Sequence, residues 1–301
     1  SYGITGSGLT ANNGNYTFEQ ASGNAAALTI TPAVLTYNAT VATSVYGSTP
    51  SVNAGTVTGW KNNETANTAT TGTLLFSTTA TATSNVGSYG ITGSGLTANN
   101  GNYTFEQAAG NTTALTVNKA TLTVTADDKT RVYGDSNPTL TYVIAGYVNS
   151  QDATSAGITG TPTISTTATA ASNVNDYTIT SAANDLAAAN YQFSYVNGTL
   201  TVNRRPVTVT ADNKTRVYGD ANPDLTFAVA ADGSGNGRGM YNSQTLSGAV
   251  ATTAIATTNV GNVSITQGTV TNDSNANYAI TFVDGTLTVN RRPVTVTADN
   301  K

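Results

Sequence analysis

Residues 198–214 read Gly-Thr-Leu-Thr-Val-Asn-Arg-Arg-Pro-Val-Thr-Val-Thr-Ala-Asp-Asn-Lys, and the same run returns at 285–301, an offset of 87 residues. Leu200 and Val202 alternate with threonine before Arg204-Arg205-Pro206, and Val207, Val209 and Ala211 alternate with threonine after it. Alternation of apolar with hydroxyl residues at period two is the pattern of a half-buried strand, apolar side inward and threonine outward. One strand ends and another begins across a short seam, so this stretch closes one unit and opens the next.

Working outward, Ser1–Ala21 recurs without change as Ser88–Ala108, again displaced by 87. Val-Tyr-Gly occurs once per unit, with Tyr46-Gly47, Tyr133-Gly134 and Tyr218-Gly219. An Asn-Tyr pair at Tyr16, Tyr103, Tyr191 and Tyr278 precedes a strand that starts near Leu28, Leu115, Leu200 and Leu287. Self-similarity at a fixed long period signals a tandem array. The units are read as 1–31, the back part of a repeat; 32–118, 119–203 and 204–290, complete repeats; and 291–301, the first strand of a further one. The seams lie at Asn118-Lys119-Ala120, at Arg204-Arg205-Pro206 and at Arg291-Arg292-Pro293. A chain that starts and stops inside a unit leads to the expectation of a longer array, which the mass of the intact natural species tests.

Within a unit, Tyr191, Phe193 and Tyr195 alternate up to Asn197-Gly198, after which Leu200 and Val202 alternate in turn. Asp284-Gly285 holds the same place in the next unit. Asn-Gly and Asp-Gly suit a two-residue type I′ turn, so a closing β-hairpin is expected at both. Asn137-Pro138 and Asn222-Pro223 predict a turn between early strands. Helical signals are confined to short stretches at 149–156 and 185–189. Tyr133, Tyr142, Tyr177, Tyr191 and Phe193 are the expected core, because a small unit depends on its few aromatics. Short seams without a Gly/Ser linker predict a stiff, elongated rod.

Composition narrows function further. Charged residues make up 9% of the 301 positions, against about 25% in an ordinary soluble protein. Lysine and arginine number 12 against 16 acids, with no long basic cluster, which leaves little counterion release to drive nucleic-acid binding. Cysteine and histidine are both absent, so there is no disulfide, no thiolate or imidazole metal site and no histidine general base. No apolar run approaches the roughly 20 residues of a membrane-spanning helix. The opening Ser1-Tyr2-Gly3-Ile4 has no signal-peptide features, so any signal is expected elsewhere.

The unit marked by Leu122-Thr123-Val124-Thr125-Ala126, Tyr133-Gly134-Asp135, Asn137-Pro138, Asn190-Tyr191 and Gly198-Thr199-Leu200-Thr201-Val202 resembles the MBG repeats of large bacterial surface and secreted adhesins, including filamentous-haemagglutinin-like and biofilm-matrix proteins. The unit at 204–290 repeats every element, whereas 32–118 departs, with Tyr46-Gly47-Ser48 lacking the acid and Thr49-Pro50 replacing Asn-Pro. The resemblance implies a stalk or spacer of an exported, extracellular or cell-surface adhesin that carries its binding region elsewhere, and it implies no catalytic residues.

The fold expected is mainly β: a tandem array of small β-sandwich, immunoglobulin-like or β-grasp-like modules with little helix. No enzyme activity and no cofactor are expected. Asp127, Asp128 and Asp135, with Asp212, Asp220 and Asp224, are the candidates for Ca²⁺, weighed against local ion pairing with Lys129, Arg131, Lys214 and Arg216. The Gly233–Gly239 run lacks the Gly-Lys-Ser/Thr ending of a phosphate loop and is read as a loop. Arg204-Arg205 and Arg291-Arg292 are read as contacts to the neighbouring repeat rather than as a grip on an anionic polysaccharide. The partners expected are neighbouring repeats of the chain. Identical chains in a filament, and a matrix polysaccharide, are the alternatives.

Overall fold

A computed structural model describes residues 1–231 and 238–298. Two compact units emerge: Ser1–Leu122 with Gly146–Thr159 and Ala187–Gln192, and Thr123–Ala145 with Gly160–Leu186 and Phe193–Lys301. The protein is mainly β, built from several small sheets whose arrangement recurs from repeat to repeat.

The second unit shows the plan most fully. The strand Arg205–Ala211 is central in a three-stranded sheet, antiparallel to Phe227–Val229 and parallel to Tyr278–Val283. A four-stranded sheet faces it, in which Gly285–Asn290 runs parallel to Lys214–Val217 and antiparallel to Gly261–Thr266. Ala211 from one sheet meets Ile265 and Leu287 from the other in a shared core. In the preceding repeat, Thr123–Ala126 pair antiparallel with Tyr142–Ala145, while Gly198–Asn203 lies between Lys129–Val132 and Asn175–Ala182. Its core joins Ala126, Ile179 and Leu200.

The first unit repeats the plan. Ala33–Ala39 pairs antiparallel with Gly55–Thr58 and parallel with Tyr103–Gln107, and Leu115–Asn118 runs parallel to Ala42–Val45. Tyr37, Phe76, Ile91 and Leu115 form the core, with Phe105 stacked on Tyr37 at a centroid distance of 5.3 Å. Here the middle of the repeat is divided: Gly87–Tyr89 joins the second sheet, and Thr70–Ser77 pairs separately with Thr92–Ala98.

The closing hairpin does not form. Tyr278–Val283 and Gly285–Asn290 belong to different sheets, as do Tyr191–Val196 and Gly198–Asn203, and the chain crosses between layers at Asp284 and at Asn197. Neither Asn197-Gly198 nor Asp284-Gly285 adopts the positive φ of a type I′ turn. The glycines are required by proximity instead: a Cβ on Gly198 would lie 2.6 Å from the Ala126 carbonyl oxygen, and one on Gly285 2.7 Å from that of Ala211. Both arms of the expected hairpin do face the core, but from opposite layers. A period-two pattern reports which side of a strand is buried and not which strand lies beside it.

One further expectation needs correction. Tyr142 is exposed, because Tyr142–Ala145 is an edge strand that turns Ile144 inward in its place. Tyr133 and Tyr191 are buried as expected, and Tyr177 and Phe193 half-buried. Residues 149–156 form turns rather than helix, since Asn149 and Ser150 hold φ of 54° and 56°, which no right-handed helix accommodates. At 185–189, Ala187 forms an antiparallel bridge to Thr159. The helical elements described are Ala66–Ala69 and the 3₁₀ turns Ser22–Ala26, Asn99–Gly101, Ala109–Thr113 and Tyr241–Ser243.

Residues 291–298 form no strand. Among the described residues, no strand pairs with 291–298 as Phe227–Val229 and Tyr278–Val283 pair with Arg205–Ala211. The N-terminal segment makes the same point with an internal control: Ile4 is 53% exposed and Tyr16 77%, whereas Ile91 and Tyr103, in the identical sequence 88–108, are 1% and 6% exposed.

Candidate functional site

Recurring side-chain contacts occur at the joints where one repeat meets the next. In the second unit, Tyr133 projects from the loop after Lys129–Val132 and is covered by Tyr241 and Tyr278 of the following repeat, edge to face, at centroid distances of 5.3 and 5.8 Å. Gln244 lies under both phenols, accepting from the Tyr278 hydroxyl at 2.5 Å and donating to the Tyr133 hydroxyl at 3.1 Å. Val202 and Tyr133 on one side and Val207, Val209 and Tyr278 on the other form one apolar cluster. Edge-to-face aromatic contacts contribute about 0.5–1.5 kcal/mol each beyond the area they bury.

The joint in the first unit has the same geometry with different side chains. Tyr46 packs edge to face on Tyr191 at 5.5 Å. Gln151 accepts from the Tyr191 hydroxyl at 2.6 Å and from the Tyr46 hydroxyl at 3.3 Å.

The glycine after each tyrosine is fixed twice over. Gly47 and Gly134 hold φ of 92° and 87°, a region that favours glycine. An added Cβ would also fall 2.5 Å from the Val148 side chain or 2.6 Å from that of Tyr241. At Gly219 the nearest atom, on Arg292, is 3.5 Å away, and Tyr218 is 39% exposed where Tyr46 and Tyr133 are 5% and 2%.

A side-chain clamp completes each joint. Asn190 accepts from the Val86 amide at 2.9 Å and donates to Asn85 at 2.8 Å. Asn190-Tyr191 thus has a divided role: the asparagine holds the preceding repeat and the tyrosine closes the joint.

Gln151 and Gln244 had escaped sequence reasoning. They end a recurring Gly-x-x-Asn-Ser-Gln at 146–151 and 239–244, matched by Gly59-Trp60-Lys61-Asn62-Asn63-Glu64. The two residues before the Gln or Glu have positive φ in every copy. The offset of 87 between Gly59 and Gly146 was the available signal. In the first copy Glu64 accepts from the Tyr103 hydroxyl at 2.5 Å, and this bond is the main influence that pushes the Tyr103 phenol upward. Burial pushes the Tyr278 phenol up from its ordinary value, with Tyr133 adding to the shift and Tyr241 and Arg205 opposing it.

Arg131 and Arg216 were also missed as structural groups. Both are buried, Arg131 Nε donating to Asn137 at 2.8 Å and Arg216 Nε to Asn222 at 2.9 Å, with their Nη atoms on backbone carbonyls. The prolines after Asn137 and Asn222 therefore mark loops that fold back over a buried guanidinium. Repeat 32–118 has Ser44 at the arginine position and lacks the asparagine, so the two are lost together.

The candidate Ca²⁺ acids are dispersed. Asp127 accepts from Thr141 and pairs with Lys129 at 3.6 Å; Asp212 accepts from Thr226. Asp128 accepts from the Thr199 amide at 2.7 Å, a role Asn213 plays toward Thr286 in the next repeat. Asp135 is engaged by Arg205 and Arg238, Asp220 by Arg292, and Asp224 is exposed. Among the described residues no three acids converge. Arg205 is buried at the joint, whereas Arg204, Arg291 and Arg292 are exposed. Pro206 lies in the strand Arg205–Ala211, and Pro293 in the segment without strand. The glycine-rich run at 233–237 lies outside the described residues.

No curated protein and no solved structure matches the chain. The MBG domain of YGX type matches three times, at residues 35–113, 122–201 and 207–288. Each match contains one Val-Tyr-Gly, at 45–47, 132–134 and 217–219. With most of its length matched in three successive copies, the chain belongs to the MBG domain family.

Proposed function

We propose that this protein is a structural stalk or spacer of a long extracellular bacterial adhesin, holding at a distance a binding region located elsewhere. The observation that carries the proposal is the joint. The complete repeats 32–118, 119–203 and 204–290 close on one another at two joints through the same tyrosine, glycine and asparagine positions, so these contacts serve the continuity of the chain. Low charge and a threonine-rich exterior suit a spacer with few partners. The reading includes no catalytic role and no bound cofactor, and it places the protein on the bacterial surface or in the secreted matrix.

Antibodies raised against the chain should label intact cells of the source organism, and external protease should remove the label. Label that appears only after lysis would overturn the reading. A glycan array probed with the chain should stay blank, since binding would point to a carbohydrate-binding array.

A self-assembling filament or matrix protein is a second reading, favoured by the exposure of Ile4, Leu9, Tyr16 and Phe18 in a segment whose identical copy contributes to a core. Filaments in negative-stain electron microscopy would favour this reading, and discrete monomers the first.

A further inference from the structure

The two joints share a frame but differ in charge. In the second unit, Arg205 is buried and directs its guanidinium at the end of the preceding repeat. Nη1 donates to the Tyr133 carbonyl at 3.3 Å and approaches Asp135 Oδ1 at 3.4 Å, Nε donates to the Gly239 carbonyl at 2.9 Å, and Nη2 to the Arg238 carbonyl at 2.6 Å. Arg238 engages the other carboxylate oxygen of Asp135. One acid of the Tyr-Gly-Asp loop thus contacts two arginines of the next repeat.

The other joint carries none of these charges. Ser48 stands at the position of Asp135, Ala120 at that of Arg205, and Ala145, which precedes Gly146, at that of Arg238, which precedes Gly239. All three changed together. A third instance lies at the far end of the described residues, where Arg292 donates to the Tyr218 carbonyl at 2.8 Å and pairs with Asp220. This contact forms although residues 291–298 have joined no sheet. Tyr-Gly-Asp is followed by Arg-Arg-Pro in both instances, and Tyr-Gly-Ser by Lys-Ala in the one instance without the acid.

We propose that the residue after Tyr-Gly and the second residue of the next repeat form a matched pair that determines which repeat can follow which. A Tyr-Gly-Asp face accepts a repeat opening with Arg-Arg-Pro, and a Tyr-Gly-Ser face accepts one opening with Lys-Ala. The physics lies in the mismatches. A buried arginine opposite serine keeps its desolvation cost and loses the attraction of the Asp135 carboxylate, while removal of both partners costs less. Aspartate opposite alanine retains Arg238 and is the milder mismatch. The pairing rule concerns joint chemistry alone and holds or fails independently of where the protein is displayed.

The test is a double-mutant cycle in the full chain. Asp135→Ser and Arg205→Ala each create one mismatched joint, and together they place the Ser48/Ala120 pair in a joint that still holds Arg238. Each single variant should lower the thermal midpoint, by roughly 4 °C or more for Asp135→Ser, and the double variant should regain at least half of the summed loss. Losses that simply add, or single variants that melt like the parent, would overturn the pairing. Should a single variant fail to fold, the reciprocal pair decides. Ala120→Arg alone should destabilise the first joint, and Ser48→Asp with Ala120→Arg should restore it; failure of restoration would also overturn the proposal.

Discussion

Asn277 holds Val174 from the neighbouring repeat: its Oδ1 accepts the Val174 amide at 2.9 Å while its Nδ2 donates to Asn173 at 2.9 Å. One amide side chain satisfies a backbone donor and a side-chain acceptor together, as Asn190 does toward Val86 and Asn85. Asn277→Ala should therefore cost about 1–2 kcal/mol, since it leaves a partly buried N–H without its acceptor. Deuterium exchange at the Val174 amide should accelerate in the variant while that at Val86 keeps its parental rate. Equal acceleration at both would show general destabilisation instead.

The glycines after the joint tyrosines permit a graded comparison. Gly134→Ala faces both a positive φ and a contact with the Tyr241 ring, so a loss of about 2–4 kcal/mol in urea denaturation is expected. Gly219→Ala meets the same φ but an open neighbourhood, and should lose only about 1 kcal/mol. Equal losses would assign the whole effect to the backbone.

Alkaline titration should weaken the joint in the second unit. The Tyr278 phenol is raised from an ordinary value near 10, chiefly by burial, so the folded state holds this proton more tightly than the unfolded chain. The contribution is complete below pH 10 and is lost as pH climbs above it. The thermal midpoint should fall steeply in that range, and Tyr278→Phe should flatten the fall. A variant that falls as steeply as the parent would place the sensitive phenol elsewhere.

Asn137→Ala should remove the Arg131 Nε acceptor and the donor to the Ala168 carbonyl, at a cost of about 2–3 kcal/mol because the arginine remains buried. Arg131→Ser with Asn137→Ala approaches the arrangement at Ser44 and should recover part of that loss. Equilibrium urea unfolding of the single and double variants measures the difference.

Much of this fold was legible in the sequence. The period, the strands on either side of each Arg-Arg-Pro seam and the burial of Leu200, Val202, Val207 and Val209 all follow from period-two alternation. The change of sheet at Asn197 and Asp284 was not, because Tyr191 and Leu200 show the same alternation whether they are partners in a hairpin or face each other across a sandwich. Arg131, Arg205 and Arg216 carry a residue type that is rarely buried, and only their acceptors, supplied by distant backbone carbonyls and by Asn137, Asp135 and Asn222, make burial tolerable. Ser1–Ala21 and Ser88–Ala108 mark the limit, since one sequence is core in one place and surface in the other.

The parallel pairing of Arg205–Ala211 with Tyr278–Val283, and of Lys214–Val217 with Gly285–Asn290, matters when the array is pulled. Tension enters such a repeat at the start of its first strand and leaves at the end of its last. Parallel neighbours drawn in opposite directions slide along their length, so their hydrogen bonds bear load together instead of opening one after another from an edge. Survival under pulling is governed by the unfolding rate and not by equilibrium stability. A chain of modest thermal stability built on this plan can still come apart slowly under a steady pull.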